Sequence, residues 1–207
     1  ARLELDEAQL ASIFTVWTPL PDQSGFVGIK QIPNGCSLKI RGPHRTLAPY
    51  TTLDWKAEDR FEGSAGEAIE RTREILADAV RLRLRSDVEV ATYLSGGLDS
   101  AITTQLALAN GLSQVHSFSI TFEDKEFDES TEQLELSRYL GTKHTALPIR
   151  HGDIARNFPE AIWHGEVPVF RTAFVPMFLL SRLVNEQGIK VVLTGEGSDE
   201  SFLGYDI

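Results

Sequence analysis

From about residue 64 the chain alternates short apolar, β-branched runs with longer amphipathic stretches, and this alternation restricts it to a layered fold around a parallel sheet. Ala65 to Arg85 carries Ala68, Ile69, Thr72, Ile75, Leu76, Ala79, Val80 and Leu84 on a helical stripe. Val88 to Leu94 then predicts a strand, and Ala101 to Asn110 a helix closed by Gly111. Val115 to Phe122 predicts the next strand and Glu129 to Leu140 a helix closed by Gly141. His144 to Pro148 reads as a short strand, Asp153 to Trp163 and Ala173 to Gln187 as helices, and Lys190 to Thr194 as a last strand after Gly188. Strands that are apolar throughout are covered on both faces, and parallel pairing requires crossovers. The expected fold class is therefore α/β, a parallel sheet with helices on both faces. Ligands of such sheets bind beyond the carboxyl ends of the strands.

Residues 1 to about 60 have a different texture. Asp6 can cap a short helix through Phe14, in which Leu10, Ile13 and Phe14 recur at helical spacing. Nine Gly and Pro residues between Pro19 and Pro49 then punctuate short extended stretches such as Ser37 to Ile40, the pattern of a small irregular subdomain with a hairpin. Cys36, the single cysteine, follows a turn and precedes no helix, so it reads as a small buried or half-buried apolar residue and not a nucleophile.

Thirty acidic residues against 20 basic ones give a net charge of −10 with no consecutive Lys or Arg block, which leaves no electrostatic footprint for nucleic acid or an anionic membrane. No run reaches the roughly 20 apolar residues that span a bilayer, and no basic-then-apolar leader is present. The default expectation is a soluble cytoplasmic protein. The chain begins at Ala1 and stops at Ile207 directly after a Gly-rich motif, so it is expected to be part of a longer protein. The five histidines show no metal-ligand spacing, and Trp17, Trp55 and Trp163 read as core or interface anchors.

Two Gly-rich segments fall at strand ends. The first, Ser95-Gly96-Gly97-Leu98-Asp99-Ser100, lies between a strand and a helix. Glycines there allow positive φ and close approach of the main chain to a ligand. Amide groups of the loop and of the first helical turn then face phosphate oxygens. Ser95 and Ser100 add hydroxyl donors. Asp99 would repel phosphate unless a cation stood between them, which makes it a candidate Mg²⁺ ligand. The segment lacks the lysine and the spacing of a Walker loop. The second segment, Thr194-Gly195-Glu196-Gly197-Ser198-Asp199-Glu200, puts three carboxylates within five residues, where they repel unless a cation or cationic substrate is present.

The first segment resembles the pyrophosphate loop of the N-type ATP pyrophosphatases, which include asparagine, GMP, NAD and argininosuccinate synthetases. The second is similar to the acidic Gly-rich motif of asparagine synthetases and their β-lactam synthetase relatives. His116 to Ile120, Phe127-Asp128-Glu129, Leu140 to His144 and Arg171 to Arg182 also resemble segments of the glutamine-dependent asparagine synthetases. Trp17 to Gly35 resembles the connector from their glutaminase domain. The resemblance implies an adenine nucleotide alpha hydrolase-like, Rossmann-like fold, with residues 1–60 as that connector and 61–207 as the first part of the ATP-binding domain. It implies adenylation of the aspartate side chain by Mg-ATP, followed by displacement of AMP by ammonia from glutamine, and it admits a homodimer. Ser95, Gly96, Gly97, Asp99 and Ser100 would hold pyrophosphate, while Leu94, Ile120, Thr194 and Gly195 would line the nucleotide. Asp99 and Asp199 would ligate Mg²⁺, Glu196 would act as general base, and Arg171 would pair with a carboxylate or phosphate.

The chain departs from the family around Arg171, where Pro168, Val169 and Phe170 precede it and Ala173, Phe174 and Val175 follow in place of small polar residues. Leu203 stands where glycine is frequent. These departures leave room for a different carboxylate substrate, as in a β-lactam-forming or peptide-modifying relative. A non-catalytic nucleotide-binding domain is the third reading, and the retained carboxylates speak against it.

Overall fold

The computed structural model describes residues 3–204 apart from 52–55, 57, 59, 113 and 170, so Trp55, Phe170 and the terminal Tyr205-Asp206-Ile207 lie outside the described residues. The chain divides into two compact units, residues 1–62 with 158–172, and residues 63–157 with 173–207.

In the first unit, helix α1 (Glu7–Val16) starts at Asp6, whose carboxylate accepts hydrogen bonds from the N–H groups of Ala8 and Gln9. Its buried Ile13 and Gln9 fix it inward, and Gln9 Oε1 accepts the Leu20 N–H at 3.0 Å. Strands β1 (Cys36–Arg41) and β2 (His44–Pro49) form the expected hairpin, in register Leu38↔Leu47, around the turn Gly42-Pro43. Cys36 opens β1 half-buried. Trp17 and Trp163 are 56% and 80% exposed, so neither anchors a core. Of the two roles expected for them, exposure excludes the core one, because Trp17 ends α1 and Trp163 stands on an open face of α5.

The second unit is built on a parallel sheet in the order β5-β4-β3-β6, with β3 (Val90–Tyr93), β4 (His116–Phe122), β5 (Lys143–Ile149) and β6 (Val191–Leu193). The helices are α2 (Ala65–Arg83), α3 (Leu98–Ala109), α4 (Ser130–Leu140), α5 (His151–Gly165, which runs on into the first unit), α6 (Phe174–Glu186) and α7 (Ser198–Phe202). Side chains alternate across the sheet as strand geometry requires. Val90 and Leu193 pack with Val80 and Ala107 on one face, whereas Ala91 and Phe118 pack with Leu180 and Val184 on the other. A polar pair crosses each interface: Thr104 Oγ1 donates to Thr92 Oγ1 at 3.1 Å, and the hydroxyls of Tyr93 and Ser181 lie 2.9 Å apart.

Helix ends follow from local chemistry. Ser64 and Glu67 form a reciprocal capping box at the start of α2. Hydrogen bonds from the Ser64 N–H and hydroxyl lower the Glu67 carboxyl below its usual range. Gly141 and Gly188 close α4 and α6 with φ of 69° and 80°, the left-handed conformation that ends helices.

The polar pocket under β4 and β5 sets a pH dependence. His144 lies between Ser117 and Ser119, its Nδ1 2.9 Å and its Nε2 3.1 Å from their hydroxyls. Burial lowers its pKa from 6.5 by disfavouring the charged ring. The unfolded chain therefore protonates this histidine first. Stability present above its ordinary pKa is lost as pH falls from there through the lowered folded value. Between about pH 7.5 and about pH 5.5 the wild type should lose more melting temperature than His144→Gln. Parallel profiles for the two proteins would remove His144 as the cause.

Candidate nucleotide site

Successive crossovers carry the chain from β3 to β4 to β5, whereas β6 returns to the opposite side of β3. The loops after β3 and β6 therefore leave a topological switch point, where a crevice opens at the strand ends. Both Gly-rich segments emerge there.

The first segment is tightly tied. Leu94 is fully buried and its N–H donates to the Phe118 carbonyl at 2.9 Å, which carries the pairing one residue past β3. The Ser95 N–H donates to Ser100 Oγ at 3.1 Å, the two hydroxyls are 3.0 Å apart, and the Gly97 N–H donates to Ser95 Oγ at 3.1 Å. The two hydroxyls expected to face phosphate thus hold the loop's own shape. Helix α3 begins at Leu98, three residues before the expected start, so Asp99 and Ser100 stand in its first turn. Its N-cap Gly97 supplies no side-chain hydrogen bond, which leaves the first-turn amides to an outside acceptor.

Neither loop glycine has positive φ, against the expectation from their flexibility. Their reason is proximity. A Cβ at Gly96 would lie 2.9 Å from Glu132 Cβ and 3.3 Å from Glu129 Cβ, so the start of α4 presses directly on the loop. The Gly96 N–H donates to a Glu129 carboxylate oxygen at 3.1 Å, an anionic acceptor bound by the loop main chain.

The second segment backs onto the first. A Cβ at Gly195 would lie 2.9 Å from Asp99 Cβ and 3.0 Å from the Ser100 N, so the loop after β6 touches the start of α3 main chain to main chain. Thr194 precedes this contact, and Glu196, exposed, follows it. Asp199 lies in the first turn of α7, a short helix for which five residues give no periodic signal. Leu203 ends α7 with φ 59°, the left-handed backbone that explains why glycine suits this position.

Among the described residues no three His, Cys, Asp or Glu side chains gather as a metal cluster. A magnesium ion needs less from a protein that binds phosphates, since it is commonly held by one or two carboxylates with substrate oxygens completing the shell. Asp99, in the first turn of α3, and Asp199, in the first turn of α7, are carboxylates of the type such an ion takes.

Beside Ser95 lies a pocket of about 300 Å³ bounded by Leu94 and Ile120 and walled by Phe122, Phe127, Gln133 and Met177. Asp128 holds this corner together: its carboxylate accepts the Phe122 N–H at 3.1 Å and the Ser130 hydroxyl at 2.6 Å. The Ser130 hydroxyl and then the Phe122 amide lower its carboxyl pKa. Leu94, Ser95 and Ile120, singled out from sequence, share the pocket, while Gly195 lies against Asp99 and Ser100 and Thr194 stands exposed beside it. Arg171 belongs to the first unit, where its guanidinium carbon sits 3.8 Å from the centre of the Trp17 ring. Sequence reasoning missed Phe122, Gln133 and Met177 as lining residues. They come from three elements, and the one available signal was a polar glutamine on the buried side of an amphipathic helix.

The Asparagine synthase family model matches residues 71–207. The chain is 34% identical over 197 residues to Amidase chyE of Penicillium rubens, covering 87% of this chain and 29% of that protein. It is 31% identical over 180 residues to asparagine synthetase [glutamine-hydrolyzing] 1 of Bacillus subtilis, covering 86% of this chain and 28% of that protein. It thus spans less than a third of these relatives. Among solved structures, a glutamine-dependent NAD+ synthetase from Acinetobacter baumannii superposes with a TM-score of 0.51 at 22% identity, over 78% of this chain and 34% of that one, a likeness of fold. The chain belongs to the asparagine synthase family.

Proposed function

We propose that this chain carries the ATP-activating site of an asparagine synthetase that takes its ammonia from glutamine. The observation that carries the reading is the main-chain contact of Gly195 with Asp99 and Ser100, which joins a phosphate-type loop to a second, acidic one at the switch point. An aspartate side-chain oxygen attacks the α-phosphorus of ATP, the bond to the bridging oxygen breaks, and pyrophosphate leaves. Ammonia then attacks the acyl carbon of the β-aspartyl adenylate, and AMP departs with the acyl oxygen as asparagine forms.

The first-turn amides of α3 and the 95–100 loop receive pyrophosphate, and Leu94, Ile120, Thr194 and Gly195 line the nucleotide mainly through main-chain groups. Glu196 takes the proton that ammonium or the tetrahedral adduct must lose. Mg²⁺ held by Asp99 and Asp199 would neutralise charge building on the departing pyrophosphate. Arg171 pairs with a substrate carboxylate or phosphate, for either of which its fork suits bidentate binding. Residues 1–60 act as the connector to a glutaminase domain and residues 61–207 as the first part of the synthetase domain, in a cytoplasmic protein. Among the described residues, no helix is long and apolar enough to cross a membrane.

A second reading is favoured by two observations. One relative at 34% identity is named an amidase, and the Arg171 guanidinium already stacks on Trp17. The site would then adenylate another carboxylate, as a β-lactam-forming or peptide-modifying relative does. Pyrophosphate release by the full-length protein with Mg-ATP, offered aspartate or other carboxylates with ammonia or glutamine, separates the readings. Aspartate-dependent release with asparagine formed is the expected result. Release with a different carboxylate alone would move the protein to the second reading, and ATP binding without release under any condition would leave a non-catalytic nucleotide domain.

A further inference from the structure

The pocket beside Ser95 has few polar groups, and almost all are spoken for. Ser119 Oγ is 3.1 Å from His144 Nε2, Tyr93 bonds Ser181, Ser95 bonds Ser100, and Glu129 accepts from Gly96. Gln133 differs from these. Its side chain, 4% exposed, reaches from α4 so that Nε2 donates to the Ile120 carbonyl at 3.0 Å, while Oε1 is buried and accepts no hydrogen bond. A buried amide oxygen without a donor is costly, and such a group calls for a partner from outside the chain, a ligand or an ordered water. The surrounding walls, Phe118, Phe122, Phe127, Met177 and Leu180, suit a flat aromatic ring. Phe127 and Met177 are 63% and 38% exposed, so this side of the pocket can re-pack around an entering ring and bring Oε1 into contact with it.

We infer that Gln133 selects the base of the bound nucleotide, its Oε1 accepting a hydrogen bond from the exocyclic amine of a 6-aminopurine while its Nε2 steadies the Ile120 carbonyl. The inference rests on the nucleotide reading given above and adds to it a residue that discriminates between bases. The Ile120 oxygen has two lone pairs, one of which the glutamine occupies, so the main chain alone offers the base a single further acceptor site. A 6-oxopurine would set its own acceptor against Oε1 and leave both atoms unpaired.

Titration calorimetry of the full chain with Mg²⁺ and ATP, ITP or N6,N6-dimethyl-ATP tests this, with pyrophosphate as a probe of the loop alone. The wild type should bind ATP roughly 10- to 100-fold more tightly than either analogue. In Gln133→Leu that preference should shrink to within about twofold, with pyrophosphate affinity unchanged. Gln133→Met, which keeps volume and flexibility, replaces it if the leucine variant does not fold. Equal binding of ATP and ITP by the wild type overturns the inference. So does a preference that survives in the variant with pyrophosphate binding intact, since it would belong to the Ile120 main chain. A wild type that binds neither ATP nor pyrophosphate would sink the nucleotide reading itself, a different failure.

Discussion

Asp99→Asn is expected to lower pyrophosphate release from Mg-ATP on the order of a hundredfold or more, with the melting temperature moved by no more than about 2 °C. Asp99 stands in the first turn of α3, half-buried, with no hydrogen-bonding role in the loop described above. Asparagine keeps its shape and removes its charge, so folding has little to lose beyond a small favourable term with the helix dipole. On the proposed reading the chemistry has more to lose, because there the carboxylate would hold a cation against pyrophosphate. Titrating Mg²⁺ in the assay separates the causes: a metal ligand should show a raised requirement for Mg²⁺ that excess ion partly restores. Release within about threefold of wild type at every Mg²⁺ concentration would take Asp99 out of the site.

Gly195→Ala should be damaging in a different way. The added methyl would sit 2.9 Å from Asp99 Cβ, 3.0 Å from the Ser100 N and 3.1 Å from the Asp99 carbonyl carbon. Two of these are main-chain atoms at a helix start, which cannot swing aside as a flexible side chain would. Overpacking of this kind costs about 1–3 kcal/mol, or roughly 2–10 °C of melting temperature for a chain of this size. Pushing the two loops apart by a few tenths of an ångström should also reduce pyrophosphate release on the order of tenfold. Gly152→Ala is the matched control, since its Cβ would meet nothing within 4 Å. Equal melting temperatures for the two variants would mean that the loops do not constrain each other.

Much of the sheet is legible in the sequence because its strands are short β-branched and apolar runs set between amphipathic stretches, several of which end on glycines. Strand and helix order follow directly from that pattern. Boundaries shift where exposure intervenes: Val88 is 45% exposed and β3 begins only at Val90, despite a β-branched run that reads as strand from Val88. The loop glycines show the limit more sharply. Flexibility is a property of one residue and can be read locally, whereas the reason for Gly96 lies in Glu129 and Glu132, more than 30 residues along the chain. The strand order that sets β6 beside β3 is likewise a tertiary fact, and the contact of Gly195 with Ser100 depends on it. The pocket was legible only where it touches the loops, through Leu94, Ser95 and Ile120. Its far wall depends on side chains brought in by α4 and α6, which carry no spacing relation to the motifs.

The chain's division into two units bears on how the protein can be made and cut. Residues 158–172 belong to the first unit although most of the second unit precedes them in the chain. Pro168 packs at Gly25, where an added Cβ would be 3.5 Å from its ring and 4.0 Å from the buried Ile13. During synthesis the first unit therefore waits for about 100 further residues before its contacts are complete, the reverse of simple amino-terminal-first folding. For the same reason no single cut yields either unit whole. A piece starting at Gly63 would carry residues 158–172 without their partners, and a piece ending at Glu62 would lack Pro168 beside Gly25.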